Sequence, residues 1–516
     1  MGEEVSSQLN NKRIAKNTLM LYFRMLLMMG VSLYTSRVVL NALGIEDFGI
    51  YNVVGGVIAM FSFINSSMSS ATQRFLTFEL GQGNSRNLKK VFNTSLIIHW
   101  AIAFGILILG ETIGLWFFYN KMTIPVDRFD AAMWVYQISI IVAIVNIVNV
   151  PYNALIIAHE RMNVFAYISI AEVLFKLAIV YVLYIVNYDK LTVYVILILS
   201  VSIILRVYYQ IYCRRSFSES KFYFEKDVFL IKKMAHFAGW NLIENIAGII
   251  SYQGLNLLLN VFFNPMVNAA RAVAVQVNSA IFSFSNGFQT ALNPQITKSY
   301  AAKDFTMMHS LIFKSSKFSF FILYFLSVPV LLNADIILRT WLKIVPEYSN
   351  VFVRLVLCTA IIGATGNSFM IAAQATGNIR KYQIIVGGTL LLVLPVSYIC
   401  LRLGGNPVSV FIVQLVVDCL MNIARFLVVK PMIKLSLRSY FREVLLKIII
   451  VVGLSFPLAF FVKYILQDGV VQFLAGSVLS MLFVAVSIFF FGLTKHERQF
   501  LINKILAVLS RHRSNS

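Results

Sequence analysis

The stretch AMWVYQISIIVAIVNIVNVPYNALII, Ala132 to Ile157, runs for 26 residues without one charged side chain. As an α-helix it would extend about 39 Å, more than the roughly 30 Å hydrocarbon core of a bilayer. The run stops at Ala158-His159-Glu160-Arg161, where charge returns abruptly. Runs of this kind recur at about 17–41, 48–72, 92–113, 132–157, 164–186, 191–212, 237–263, 266–292, 310–333, 350–373, 382–403, 407–430, 445–466 and 470–492. Fourteen spans are therefore expected, and no connection between them is long enough to fold as a soluble domain.

Composition agrees. The 516 residues are 59% hydrophobic and 13% charged, with a mean hydropathy of +0.78, whereas a soluble domain carries about 25% charge. The net charge of +22 is not a nucleic-acid signature, because no soluble basic face exists to carry it. Lys and Arg instead gather between alternate spans. With the N-terminus inside, the opposite side holds only Lys121, Arg128, Lys190, Arg339, Lys343, Arg402 and Lys463, a bias of about four to one for the inside. An even number of spans and this bias both put the two termini in the cytoplasm. Cys213, Cys358, Cys400 and Cys419 form no CxxC pair, and the six histidines have no ligand spacing, so neither metal nor cofactor is expected. The polar start, running into a full-length apolar stretch, reads as a retained span rather than a cleaved signal peptide.

Two stretches repeat. Leu40-Asn41 leads into a turn and then MFSFINSSMSSATQ (Met60 to Gln73), and Leu259-Asn260 leads to AIFSFSNGFQTALN (Ala280 to Asn293). NALIIAHERMN (Asn153 to Asn163) pairs with SFMIAAQATGN (Ser368 to Asn378) at nearly the same offset. The expected plan is a six-helix bundle over 1–215, a basic cytoplasmic linker over 216–236, a second six-helix bundle over 237–430, and two added spans with a basic tail over 431–516. Six spans per half would relate the bundles by an axis along the membrane normal.

The fourteen-span plan, the repeat, Val150 to Ser169 and Gln374 to Tyr382 together resemble the polysaccharide-repeat flippases of the multidrug/oligosaccharidyl-lipid/polysaccharide (MOP) exporter superfamily, relatives of MATE transporters and lipid II flippases. The resemblance implies an all-α membrane fold. It also implies a bacterial inner-membrane transporter, not an enzyme, that carries undecaprenyl-pyrophosphate-linked oligosaccharide for O-antigen, capsule or related polymers to the outer leaflet. A proton or Na⁺ gradient, membrane lipid and contact with polysaccharide assembly proteins belong to the same expectation.

Cations inside spans are costly and so point to function unless they snorkel. Arg37 and Arg354 lie near outer ends, where snorkelling suffices. Arg24, Lys176, Arg206, Arg271 and Arg425 are the candidates for holding a pyrophosphate, which the planar guanidinium fork suits. Arg24 in the first span and Arg271 in the eighth lead, because these spans line the cavity in related flippases. The competing reading is internal neutralisation: Glu172 and Lys176 share a face four residues apart, and Asp418, Asn422 and Arg425 stack at four and three. Glu172, Asp418 and Glu244 are the ion-coupling candidates. Glu244 has no basic neighbour at helical spacing. Ser66 to Ser70 and Ser283 to Asn286 could touch sugar hydroxyls or pack helices closely. A MATE-type multidrug/cation antiporter is the alternative, disfavoured by Arg24 in a first span without a carboxylate. A membrane-embedded polysaccharide polymerase would need a sizeable outer loop or paired carboxylates at a membrane face, and neither is apparent.

Overall fold

The computed structural model describes residues 2–59, 62–122, 124–223, 227–263, 265–342, 345–465, 470–499 and 502–503. Met60, Phe61, Lys226, Lys343, Lys504, Arg511 and Arg513, with the side chains of Lys12, Arg13, Lys16, Arg37 and Lys121, lie outside the described residues. The protein is an all-α, multi-pass membrane protein, and the described residues contain no strand. Its helices are α1 (Gly2–Ala59), α2 (Ser62–Gln82), α3 (Ser85–Leu109), α4 (Leu115–Lys121), α5 (Phe129–Ala158), α6 (Met162–Ile185), α7 (Lys190–Ser216), α8 (Val228–Phe262) and α9 (Pro265–Ala301). They continue as α10 (Phe305–Trp341), α11 (Ser349–Gly363), α12 (Asn367–Thr376), α13 (Arg380–Leu391), α14 (Val393–Arg402), α15 (Pro407–Met432), α16 (Leu437–Tyr440), α17 (Leu446–Ile465) and α18 (Val470–Ser487).

Among the described residues, eleven helices are long and apolar enough to cross a membrane on those grounds alone. Of the expected spans, 17–41 and 48–72 run partly through residues whose side chains lie outside the described set, and 266–292 is too polar for that mark. The described part of α1 contributes the apolar stretch Asn17–Val31, and α2 and α9 carry the Ser/Asn/Gln stretches that define the repeat. α1 is broken at Gly44, whose φ of 84° and ψ of 171° only glycine adopts readily. This break is the turn expected after Leu40-Asn41.

Turn geometry repeats along the chain. Gly83 (φ 69°) follows α2 and Asn84 caps α3, while Lys303 (φ 61°) follows α9 and Asp304 caps α10. Glu160 (φ 58°) ends α5 and Gly377 (φ 79°) ends α12. Left-handed residues thus close corresponding helices at an offset of about 220 residues, which local sequence similarity only hinted at.

The chain forms two compact units. Unit 1 comprises residues 1–246, 290–308 and 373–384. Its helix pairs α5 with α7, α1 with α6 and α3 with α5 are the most extensive. One core gathers Phe75, Phe92, Tyr152, Leu155, Cys213 and Phe237, and another gathers Val135, Tyr136, Ile140, Val180 and Leu183. Between α3 and α4 the helix widens to a π-turn over Gly110–Gly114. The Tyr136 hydroxyl donates to the Gly110 carbonyl at 2.6 Å, and a Cβ on Gly114 would lie 2.1 Å from that hydroxyl. A side chain inserted into the helix ladder is a recognised cause of such a bulge.

Unit 2 comprises residues 247–289, 309–372 and 385–516. Its core joins Leu255, Leu259, Val267, Leu357 and Val410 around Phe352 and Phe411, whose rings stack at 4.0 Å. In lipid such helices associate through close packing and hydrogen bonds rather than the hydrophobic effect. The Ser-rich stretches serve this purpose. Asn245 donates to Ser67 Oγ at 2.6 Å in unit 1, and in unit 2 Gln289 donates to Ser319 Oγ at 3.0 Å beside buried Ser285. Asn93-Thr94-Ser95, a glycosylation pattern by spelling, is buried in α3.

Candidate functional site

In unit 1 the structure brings three of the expected cations together. α1 and α6 pack side by side, and α6 also packs on α7. Arg24 on α1 places its guanidinium carbon 4.3 Å over the Phe165 ring of α6. Arg206 on α7 stands 4.3 Å over the Tyr152 ring of α5 and donates to Gln210 at 3.3 Å. Lys176 on α6 pairs with Glu172 one turn earlier at 2.6 Å, both side chains being more than a third exposed. The buried Tyr209 hydroxyl lies within the electrostatic reach of Arg24, Glu172 and Cys213, and Cys213 within that of Arg206. Arg24 and Lys176 thus share one carboxylate, Glu172, while Arg206 is linked to them only through Tyr209 and Cys213, which Glu219 faces as well.

The donors of this cluster are not exhausted. Stacking on a ring occupies the face of a guanidinium and leaves its edges to donate. Arg24 Nε is buried and finds no acceptor. A buried charged donor without a partner carries a desolvation cost that an incoming anion would relieve. Glu244, half-buried on α8 beside Asn245, also belongs to unit 1 and is engaged with neighbours.

In unit 2, Arg271 is 4% exposed. Its Nη1 donates to Asn256 Oδ1 and its Nη2 to the Tyr252 carbonyl at 2.9 Å, with the Tyr252 ring 4.3 Å below the guanidinium. These acceptors satisfy its hydrogen bonds without neutralising its charge. Asp418 and Arg425 lie buried two turns apart on α15 and interact electrostatically. Asn422 between them faces Gly366, where a Cβ would sit 1.9 Å from Asn422 Oδ1 and 3.2 Å from Arg425 Nη1. Gly366→Ala is therefore expected to cost about 1–3 kcal/mol of stability through overpacking, seen as a lower melting temperature in detergent. Asn422→Ala in the same chain should recover much of it. An unchanged melting temperature in Gly366→Ala would refute this packing.

Several charged groups met only as charges in the sequence have specific partners. Arg354 donates to Asp335 at 2.8 Å and to the Leu331 carbonyl at 3.1 Å, and Lys463 donates to the Leu332 carbonyl at 2.5 Å. These carbonyls lie beside the kink of α10 at Asn333, one turn after Pro329, so the cations cap acceptors that the kink released. Snorkelling alone does not describe Arg354. In unit 1, Arg128 bridges Asp47 at 2.6 Å and Asp189 at 2.7 Å. Burial pushes the Asp189 carboxyl up, but hydrogen bonds from Thr192 and Arg128 outweigh it and hold it below the ordinary carboxylate range. Among the described residues no group of His, Cys, Asp and Glu could hold a metal.

The MatE family model matches residues 239–399. No curated protein matches the sequence. Among solved structures, a MATE in the straight conformation is 13% identical, with a TM-score of 0.72, covering 82% of this chain and 96% of its own. A multidrug resistance MATE family transporter of the MOP superfamily in an outward-facing conformation gives 14%, 0.68 and the same coverages, 82% and 96%. A MOP superfamily transporter from Pyrococcus furiosus gives 14%, 0.66, 82% and 96%, and is described as having a binding pocket of reversed polarity that suggests a different function. At these identities the likeness shows the fold, which is that of the MATE transporters.

Proposed function

We propose that the chain is a transporter of an anionic lipid-linked substrate: a flippase that carries undecaprenyl-pyrophosphate-linked oligosaccharide from the cytoplasmic to the outer leaflet of a bacterial inner membrane. The observation that carries this reading is Arg24, which stacks on Phe165, keeps a buried Nε without an acceptor and shares Glu172 with Lys176 in unit 1, with Arg206 on the neighbouring α7. A pyrophosphate brings two or more negative charges, and Arg24 keeps a buried Nε without an acceptor to meet it. Arg271 adds a second buried positive charge in unit 2, and Arg425 a third, moderated by Asp418. Glu172, Glu244 and Asp418 are the carboxylates through which a proton or Na⁺ gradient could act. Both termini are placed in the cytoplasm by the charge bias.

The MATE-type cation antiporter is the second reading, favoured by the fold itself. A net-positive cluster repels a cationic drug, whereas the Pyrococcus furiosus relative offers precedent for reversed pocket polarity on this fold. The deciding experiment is deletion of the gene followed by analysis of lipid-linked intermediates and drug resistance. Intermediates trapped in the cytoplasmic leaflet, restored to export by the wild-type chain, are the expected result. Normal glycans with altered drug susceptibility would establish the antiporter instead.

A further inference from the structure

Unit 2 carries a cavity that none of the cations discussed above lines. Its volume is about 300 Å³, and its lining includes Phe262, Phe263, Met266, Glu347, Tyr348 and Pro407. That is the lower end of the range for small-molecule sites. The residues come from the end of α8, the start of α9, the turn before α11 and the first position of α15, connections that the charge bias puts on the outer side. The aromatic walls are braced from behind. Tyr348 stacks on Phe352 at 5.9 Å, which stacks in turn on Phe411, and Phe262 meets Tyr398 edge-on at 5.7 Å. The Tyr398 hydroxyl accepts from Arg402 at 2.9 Å, and the Tyr348 hydroxyl donates to the Glu347 carboxylate.

Tyr348 has a left-handed backbone, with φ 68°. Glu160, Lys303 and Lys434 share that conformation, but each follows the end of a helix, where such residues are common. Tyr348 instead stands just before α11 and gives it no side-chain cap. The conformation is unfavourable for a bulky residue, and strain of this kind collects at binding sites. Here it sets the ring in the cavity wall beside Glu347.

We propose that this cavity binds one sugar ring of the oligosaccharide on the outer side of the membrane. A pyranose has C–H faces that pack on aromatic rings and an edge of hydroxyls that donate to a carboxylate, and the cavity offers both together. Glu347 keeps acceptor sites beyond the one that Tyr348 uses. A cation fits less well, because α9, α11 and α15 all begin at the cavity and their N-terminal partial charges offset the carboxylate. A phosphate fits less well too, since Glu347 repels it and no lysine or arginine lines the cavity.

The sugar site rests on the flippase reading, but its test reads binding without export. Oligosaccharide is released by mild acid from the lipid-linked intermediates of the host and added to the full-length chain in detergent. Irradiating the aromatic protons of the protein should transfer saturation to ring protons of the sugar. Tyr348→Gly removes the ring and suits the left-handed backbone, so it should fold and weaken binding at least about tenfold through the lost stacking surface. Phe262→Leu should act in the same direction. Glu347→Gln, at an exposed position, should weaken binding about threefold or more, because a neutral amide is a poorer acceptor than a carboxylate. Absence of transfer to the wild-type chain overturns the site, as does transfer that survives both Tyr348→Gly and Phe262→Leu. Should one of these two not fold, the other decides. Displacement of the sugar by tetramethylammonium would make the cavity a cation site and overturn the proposal as well. Variant-sensitive binding in a chain whose deletion leaves lipid-linked intermediates normally exported would overturn the flippase reading and leave the sugar site standing. Trapped intermediates without variant-sensitive binding would overturn the sugar site alone.

Discussion

Replacing Arg24 by alanine is expected to reduce export of lipid-linked oligosaccharide by about 100-fold or more while leaving the protein inserted at normal levels. A charge-assisted hydrogen bond contributes about 1.5–3 kcal/mol, and Arg24 has a buried Nε with no acceptor in addition to its remaining donors. Two such bonds to phosphate oxygens, lost together, exceed the roughly 2.7 kcal/mol that a hundredfold change requires. Arg24→Lys keeps the charge and loses the fork, so intermediate export is expected. Lys176→Met should do less than Arg24→Ala, because Glu172 already offsets Lys176 at 2.6 Å. Glu172→Gln removes the carboxylate that Arg24 and Lys176 share and should strengthen retention of the anion, slowing its release. The measurement is export in cells whose own gene has been deleted, with membrane levels of each variant checked in parallel. Wild-type export by Arg24→Ala would remove the pyrophosphate assignment altogether.

The cations of this cluster were legible in the sequence because a charge within an apolar run stands out. Their convergence was not. Arg24, Lys176 and Arg206 lie in the first, fifth and sixth spans, and only the packing of α1 on α6 and of α6 on α7 brings them near one another. The aromatic faces of Phe165 and Tyr152 were hidden for the opposite reason: among 23 Tyr and 43 Phe, no spacing marks the ones that lie under a guanidinium. The pair Glu172 and Lys176 could be read directly, since four residues on a helix fix the geometry.

The helical fold could be read from length and hydropathy for eleven helices, yet α9 is too polar for that test, and α2 begins among residues whose side chains lie outside the described set. Both were read in the sequence as apolar runs, and their Ser/Asn-rich stretches marked them as a repeat. Glu160, Arg74 and Lys298 show a different limit. Arg74 and Lys298, counted as charges beside a span, carried orientation only. The structure buries the Glu160 and Arg74 side chains and gives each a partner more than 100 residues away. Nothing local to His159-Glu160-Arg161 states that the middle residue turns inward on a left-handed backbone, and a non-glycine residue in that conformation is uncommon.

Glu497→Ala is expected to destabilise unit 2 by about 3–5 kcal/mol, because it leaves the Lys317 ammonium buried without its counter-charge. The Lys317 side chain is 4% exposed and meets Glu497 at 2.6 Å. Glu497 does two jobs. Thr494-Lys495-His496-Glu497 forms a capping box in which Glu497 accepts from the Thr494 amide at 2.8 Å and the Thr494 hydroxyl accepts from the Glu497 amide at 3.3 Å. Glu497→Gln preserves the cap and removes the charge, so the difference between the two variants separates the cap, about 1 kcal/mol, from the ion pair. Lys317→Met with Glu497→Ala should recover part of the loss, the remainder belonging to Lys314, which Glu497 also faces. Burial pushes the Glu497 carboxyl up, but Lys317 and the Thr494 bonds outweigh it and hold it below its ordinary value of 4.5. A carboxyl lowered by folding stabilises above its unfolded pKa, and that contribution disappears as pH falls through the folded one. Wild-type melting temperature in detergent should therefore fall below about pH 4.5 more steeply than that of the double variant. Parallel curves for the two would mean that the pair contributes no charge-dependent stability.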